Sequence, residues 1–207
     1  MNVMVYVDGF NLYYGAVKDT RYKWLNIQRM AQLLLPKDQI VGIKYFTAKV
    51  HSRDNDPDKH IRQQVYLRAL RTLPNFKIYY GHYLSHVVWM RLANPVPGRS
   101  KYAEVIKTEE KGSDVNLAVQ LLNDGYQSAY ELAVIVTNDS DLLEAIRIVQ
   151  GRLKLGVGII NPQEYPSVVL RREAQFIKQI RGGVLAAAQF PPEMMDANGK
   201  FHKPDEW

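Results

Sequence analysis

A chain of 207 residues that is 46% hydrophobic can bury a sizeable core and suits one α/β domain with extensions better than two full domains. It has no cysteine, which excludes disulfides, thiolate zinc sites and thiol nucleophiles and leaves carboxylate, histidine, lysine and serine chemistry. Lys and Arg number 27 against 21 Asp and Glu, and the resulting net charge of +6, with a pI near 9.4, tilts the chain toward polyanionic partners.

The opening MNVMVYVDGF carries neither a basic segment nor a small-residue cleavage site, so it reads as a buried strand over residues 3–7 rather than a secretion signal, and a cytoplasmic location is expected. That strand runs into a loop at Asp8-Gly9, which puts Asp8 at its carboxyl end. A helix beginning at about Asn26 and stopped by Pro36 leads to a second strand over residues 40–50, making a βαβ unit. Over residues 57–73, Ile61, Val65, Ala69 and Leu73 recur every four positions while Lys59, Arg62, Arg68 and Arg71 take other faces, the pattern of a helix with a basic exterior. Residues 75–84 give a third strand. Residues 85–110 lack periodicity and contain Asn94-Pro95 and Pro97-Gly98, so they read as an inserted hairpin or loop over the site.

Ser113 is expected to cap a helix whose apolar face is Val115, Ala118, Val119 and Leu122 and which ends before Gly125. A fourth strand over 132–137, a helix over 140–150 closed by Gly151, a fifth strand over 155–160 and a helix over 167–176 complete the alternation. Beyond Phe190 the periodicity is lost. Strands alternating with helices imply a mostly parallel sheet covered on both faces. No apolar run approaches the ~18 residues that cross a bilayer, since LKLGVGII stops at Asn161 and Pro162, and no membrane span is expected.

Three clusters carry chemistry: Asp8-Gly9-Phe10-Asn11, Lys111-Gly112-Ser113-Asp114 and Thr137-Asn138-Asp139-Ser140-Asp141. Open parallel sheets bind ligands at the carboxyl ends of their strands, where Asp8 and Asp139 sit. Carboxylates gathered there repel one another unless a hard divalent cation neutralises them, so Asp8, Asp114, Asp139 and Asp141 read together as a Mg²⁺ or Mn²⁺ site. Such an ion supplies what phosphodiester hydrolysis requires. Asp and Ser at helix starts are also ordinary caps, so Asp114, Asp139 and Ser140 each have that simpler role open to them; Asp8 precedes no obvious cap. Arg62 and Arg91 are candidates to follow an RNA backbone, and Lys111 and Ser140 to meet a phosphate. His51, His60, His82, His86 and His202 show no metal-ligand spacing, and no G-x-G-x-x-G or Walker pattern is present.

The segments VDGFNLYYG, KGSDVNLAVQLL and VIVTNDSDLLEAI occur in the order found in NYN domains, and over roughly residues 1–180 the chain resembles that division of the PIN-like nuclease superfamily. The resemblance implies a three-layer α/β/α sandwich with a mostly parallel sheet of about five strands and an acidic pocket that holds one or two divalent ions for RNA cleavage. Residues 181–207 would be a C-terminal extension. By position, Asp8 matches the acid after the first strand, Asn11 the polar residue beside it, Asp114 the acid of the K-G-x-D segment, and Asp139 and Asp141 the D-S-D pair. Thr137-Asn138 stands where many relatives have Ser-Gly, and Leu142 where an aromatic residue is common. RNA is the expected substrate, with single-stranded DNA also open, as is homo-oligomerisation. The competing readings are a module of the same fold that docks RNA or a protein without cutting it and, less favoured, a phosphohydrolase with an aspartyl nucleophile after the first strand.

Overall fold

Residues 1–52 and 56–207 are described in the computed structural model. Seven strands form one sheet: β1 (Asn2–Asp8), β2 (Gln39–Ala48), β3 (Phe76–Arg91), β4 (Tyr102–Lys111), β5 (Leu132–Val136), β6 (Gly156–Asn161) and β7 (Phe176–Gln179), in the spatial order β4-β3-β2-β1-β5-β6-β7. Every neighbouring pair is parallel except β3 and β4. The chain moves outward from β1 on one side and from β5 on the other, so the topological switch point, where open α/β sheets bind ligands, lies between β1 and β5.

Helices cover both faces: α1 (Gly9–Leu12), which continues as a single π turn over Tyr13–Val17, α2 (Ile27–Leu34), α3 (Lys59–Arg71), α4 (Ser113–Tyr126), α5 (Leu143–Gly151), α6 (Val168–Glu173) and α7 (Gly182–Ala187). Side chains alternate along β1, so Val3, Val5 and Val7 pack with Met30 of α2, Leu70 of α3 and Leu185 of α7. Tyr6 faces the opposite way, into a second core with Leu117 and Leu121 of α4 and Ile146 of α5. Both faces of the central strands are therefore closed, which is why β5 reads as an unbroken apolar run, LAVIV, buried throughout.

Residues 85–110 take the hairpin alternative of the sequence reading: β3 runs on past Leu84 to Arg91 and β4 returns antiparallel beside it, adding a strand to the sheet. Three local features depart from that reading. A seventh strand is present, because β7 takes Phe176 and its successors: the helix capped by Ser167 stops at Glu173, Ala174 turns extended, and the Gln175 N–H bonds the Val157 carbonyl at the sheet edge. On α3 the buried stripe is Leu67, Ala69 and Leu70, while Ile61 is half-exposed.

On α4 the buried stripe is Ser113, Leu117, Leu121, Asp124 and Gly125, whereas Val115 and Val119 are 66% and 54% exposed. The reason is a buried polar cluster beneath the helix. Lys44 Nζ of β2 bonds Gln120 Oε1 at 2.7 Å and Asp124 Oδ1 at 2.8 Å, and Tyr6 donates its hydroxyl to Asp124 Oδ2 at 2.7 Å. Partnered in this way, Asp124 belongs inside, and the valines turn to solvent.

The tail packs. A hairpin of β8 (Glu193–Asp196) and β9 (Gly199–His202) buries Phe201 against Trp24, and the Arg68 guanidinium grips Asp196 with two bonds of 2.7 and 2.8 Å. That pairing holds the Asp196 carboxyl at about 2.

Candidate active site at the carboxyl ends of the strands

β1 ends in Asp8, in register with Phe46 of β2 and 3% exposed. Instead of entering a loop, the chain turns at once into α1, and Asp8 is its cap: Oδ1 accepts the N–H groups of Phe10 at 3.1 Å and Asn11 at 2.9 Å. Its Oδ2 accepts Asn11 Nδ2 at 2.8 Å and Thr137 Oγ1 at 3.2 Å. A carboxylate offers about four lone-pair sites, and all are engaged. Burial pushes the Asp8 carboxyl up, the bonds from Asn11 and Thr137 pull it down, Asp139 adds to the rise, and the net direction is upward. Gly9 is required because a Cβ there would meet the Phe46 carbonyl oxygen at 2.6 Å and the Tyr45 ring at 2.7 Å.

Thr137, fully buried just past β5, also accepts the Asp139 N–H at 3.1 Å, so one hydroxyl couples the Asp8 carboxylate to the loop carrying the acidic pair. Asp139 caps a short 3₁₀ turn, Ser140–Leu142, through a bond from the Asp141 N–H to Oδ1 at 2.9 Å. Ser140 opens that turn at the surface. Asn11 ties the same loop from the other side: its Oδ1 accepts the Asn138 N–H at 3.2 Å and Gln163 Nε2 at 3.2 Å. Asn138 in turn bonds Gln163, Tyr165 and Ser167.

Asp114 arrives from the opposite side, in the first turn of α4. Gly112 precedes that helix with φ +95°, in place of the expected Ser113 cap, and Ser113 instead donates its N–H and hydroxyl to Glu110 at 3.1 and 2.7 Å. Desolvation, then Asp8, Asp139, Glu110 and Asp141 in decreasing order, push the Asp114 carboxyl up to about 6. Carboxylates from three distant segments thus share one field. Glu110 acts on Asp114 more strongly than Asp141 does, although the sequence reading passed over it; an acid at the strand end just before Lys-Gly-Ser-Asp is the signal that could have found it.

The supporting residues fare differently. Lys111 is half-exposed and pairs with Glu109 at 3.5 Å. Arg62 lies on α3, on the other face of the sheet, where Asp56 and Glu206 take its guanidinium. Arg91 pairs opposite Tyr102, nine residues beyond the His82–Lys111 pair at the root of the β3–β4 ribbon, so about 30 Å of strand separates it from the base. Neither arginine is brought to the carboxylates.

The donor set suits a hard cation in character. Asp114, Asp141 and Asp139 Oδ2 accept no hydrogen bond from the described residues, and the raised Asp114 carboxyl marks uncompensated negative charge. In spacing the set is open: among the described residues no three His, Asp or Glu side chains stand close enough to hold an ion by themselves. A cation here would have to be held through one or two carboxylates, with water and substrate phosphate completing its shell.

The NYN domain pattern matches residues 2–185. Across 236 aligned positions, covering 100% of this chain and 75% of its relative, the chain is 29% identical to 6-hydroxy-3-succinoylpyridine 3-monooxygenase HspA of Pseudomonas putida. Among solved structures, a protein of unknown function from Vibrio parahaemolyticus superposes with a TM-score of 0.55 at 16% identity, over 87% of this chain and 94% of that one, a likeness of fold. The chain belongs to the NYN domain family.

Proposed function

We propose that this protein is a metal-dependent ribonuclease that hydrolyses RNA phosphodiester bonds at the cluster of Asp8, Asp114, Asp139 and Asp141. The observation that carries the reading is the gathering of carboxylates from three separate segments at the carboxyl ends of β1 and β5 and the start of α4, where burial and the neighbouring acids push the Asp114 carboxyl up. Asp114, Asp139 and Asp141 keep free carboxylate oxygens, of which one or two would hold Mg²⁺ or Mn²⁺ with water and substrate phosphate completing the shell. Asp8, saturated by Asn11, Thr137 and the α1 backbone, contributes fixed negative charge and holds the loops in register. When bound, the cation polarises a phosphoryl oxygen and lowers the pKa of a water. Lys111 and Ser140 are exposed, and in this reading they meet phosphates of the incoming strand.

The test is incubation with labelled single-stranded RNA, structured RNA and single-stranded DNA, each with Mg²⁺, Mn²⁺ or EDTA, beside Asp8→Asn, Asp114→Asn and Asp139→Asn. The expected result is cleavage of RNA that needs metal and is lost in the variants. RNA binding without cleavage, indifferent to metal and to these substitutions, would replace the nuclease by a docking module.

The full-length match to a monooxygenase favours one other reading, that the chain acts on a small pyridine. It predicts O₂ uptake with 6-hydroxy-3-succinoylpyridine in the presence of a two-electron donor, together with inert RNA.

A further inference from the structure

A cavity of about 190 Å³ opens at the same edge of the sheet but on its other face. Strand alternation fixes the sides. Asp8 and Phe46 are register partners and point toward the α4 layer, whereas Tyr45 and Thr47 point toward the α3 layer and line the cavity. Phe10, Tyr13, Tyr14, Tyr66 and Trp207 supply ring walls, and Asp56, Lys59, Arg62, Gln63 and Glu206 form a polar side on which the two carboxylates are taken by Arg62. Tyr66 spends its hydroxyl on the Leu25 carbonyl at 2.8 Å, so it offers the cavity a ring face. Tyr14 is 55% exposed and stands at the rim.

Three basic side chains, Lys23, Lys59 and Arg62, line the cavity, and they are not alike. Arg62 is held by Asp56 and Glu206. Lys23 also lines the cavity, and its ammonium forms no hydrogen bond or ion pair with any described residue. An unspent cation beside several ring faces is a pairing of chemistries that a buried core has no use for.

We propose that this cavity binds a planar aromatic ring carrying an anionic group, with the ring against the aromatic walls and the anion at Lys23. The cavity is smaller than the roughly 300 Å³ at which sites for drug-sized ligands begin, so it admits one ring system rather than an extended molecule. A nucleotide and an aromatic carboxylic acid share this chemistry, and the experiment separates them. The site needs no metal at the carboxylate cluster, although the two meet at Phe10, whose N–H bonds Asp8.

The wild-type chain in EDTA is titrated by calorimetry with adenosine and uridine monophosphates, nicotinate and benzoate. Adenosine and nicotinamide serve as rings without an anion, and inorganic phosphate and acetate as anions without a ring. Saturable one-to-one binding is expected for an anionic ring, about tenfold tighter than for its uncharged counterpart, and about tenfold weaker in both Tyr14→Ala and Lys23→Gln. Preference for the monophosphates or for the carboxylates names the source. No saturable binding by any probe, binding unchanged in both variants, or phosphate alone binding as tightly as the rings would each overturn the proposal. Metal is absent throughout, so failure here leaves the nuclease reading standing, and uncut RNA leaves this one standing.

Discussion

Replacing Asp114 by Asn keeps the side chain's shape and removes the charge its neighbours oppose. The carboxyl, ordinarily near 3.8, is pushed up to about 6 by burial and by Asp8, Asp139, Glu110 and Asp141. At about 1.4 kcal/mol per pH unit that difference is worth roughly 3 kcal/mol, and solvent screening at this partly exposed group reduces it to about 1–2 kcal/mol. The sign follows from proton linkage: the folded chain holds this proton more tightly than the unfolded chain. The penalty is therefore absent below about pH 4, grows as the pH rises, and is complete above about pH 6. In EDTA, thermal melts followed by circular dichroism should place Asp114→Asn about 2–8 °C above wild type at pH 7.5, with the two converging at pH 4. Adding Mg²⁺ or Mn²⁺ at pH 7.5 should raise wild type more than the variant. Parallel pH profiles, or a variant melting below wild type at pH 7.5, would refute the account of a repulsive carboxylate cluster.

Three further substitutions probe the framework around it. Thr137→Val removes the hydroxyl that serves both Asp8 Oδ2 and the Asp139 N–H, and should cost about 1–3 kcal/mol in urea denaturation while lowering RNA cleavage; full activity in a destabilised variant would deny Thr137 a positioning role. Lys44→Met strands Asp124 without its cation and should cost about 3–5 kcal/mol, most of it recovered in the double variant Lys44→Met/Asp124→Leu, with the urea midpoint deciding. Gly81→Ala places a Cβ 2.1 Å from Glu110 Oε1 and 2.5 Å from the Lys111 carbonyl oxygen, so it should cost about 1–3 kcal/mol and impair cleavage at temperatures well below its melting point.

The acidic residues were legible because each stands where strand gives way to helix, a place both caps and ligands favour, and because three such places carry them in one chain. What hid Asp8's capping role was the abruptness of α1, which begins with no intervening loop, so that no separate cap was visible ahead of a periodic segment. Thr137, Asn138 and Gln163 escaped because their importance lies in bonds between segments, and spacing reports only what is local. The α4 face was misread for a related reason: Asp124 looks like a surface acid until Lys44 and Tyr6 are seen beneath it. β7, with four residues FIKQ, is too short to show a period of two. Arg62 illustrates the converse, since a basic helix face invites a nucleic-acid reading although two carboxylates have already claimed the guanidinium.

The β3–β4 ribbon continues about 30 Å beyond its root at Gly81 and Lys111, clear of the helical layers. No described residue pairs with the far side of its outer strand, and Trp89, Met90 and Ile106 stand in the open. At the root, Glu110 is bonded to Ser113 one residue before Asp114, and Gly112 allows the turn between them. The ribbon is thus a long arm on a short pivot, and a tilt that carries its tip by several ångströms moves the pivot only slightly. A displacement of the tip would therefore reach Asp114 only through the Glu110–Ser113 bonds, and much reduced.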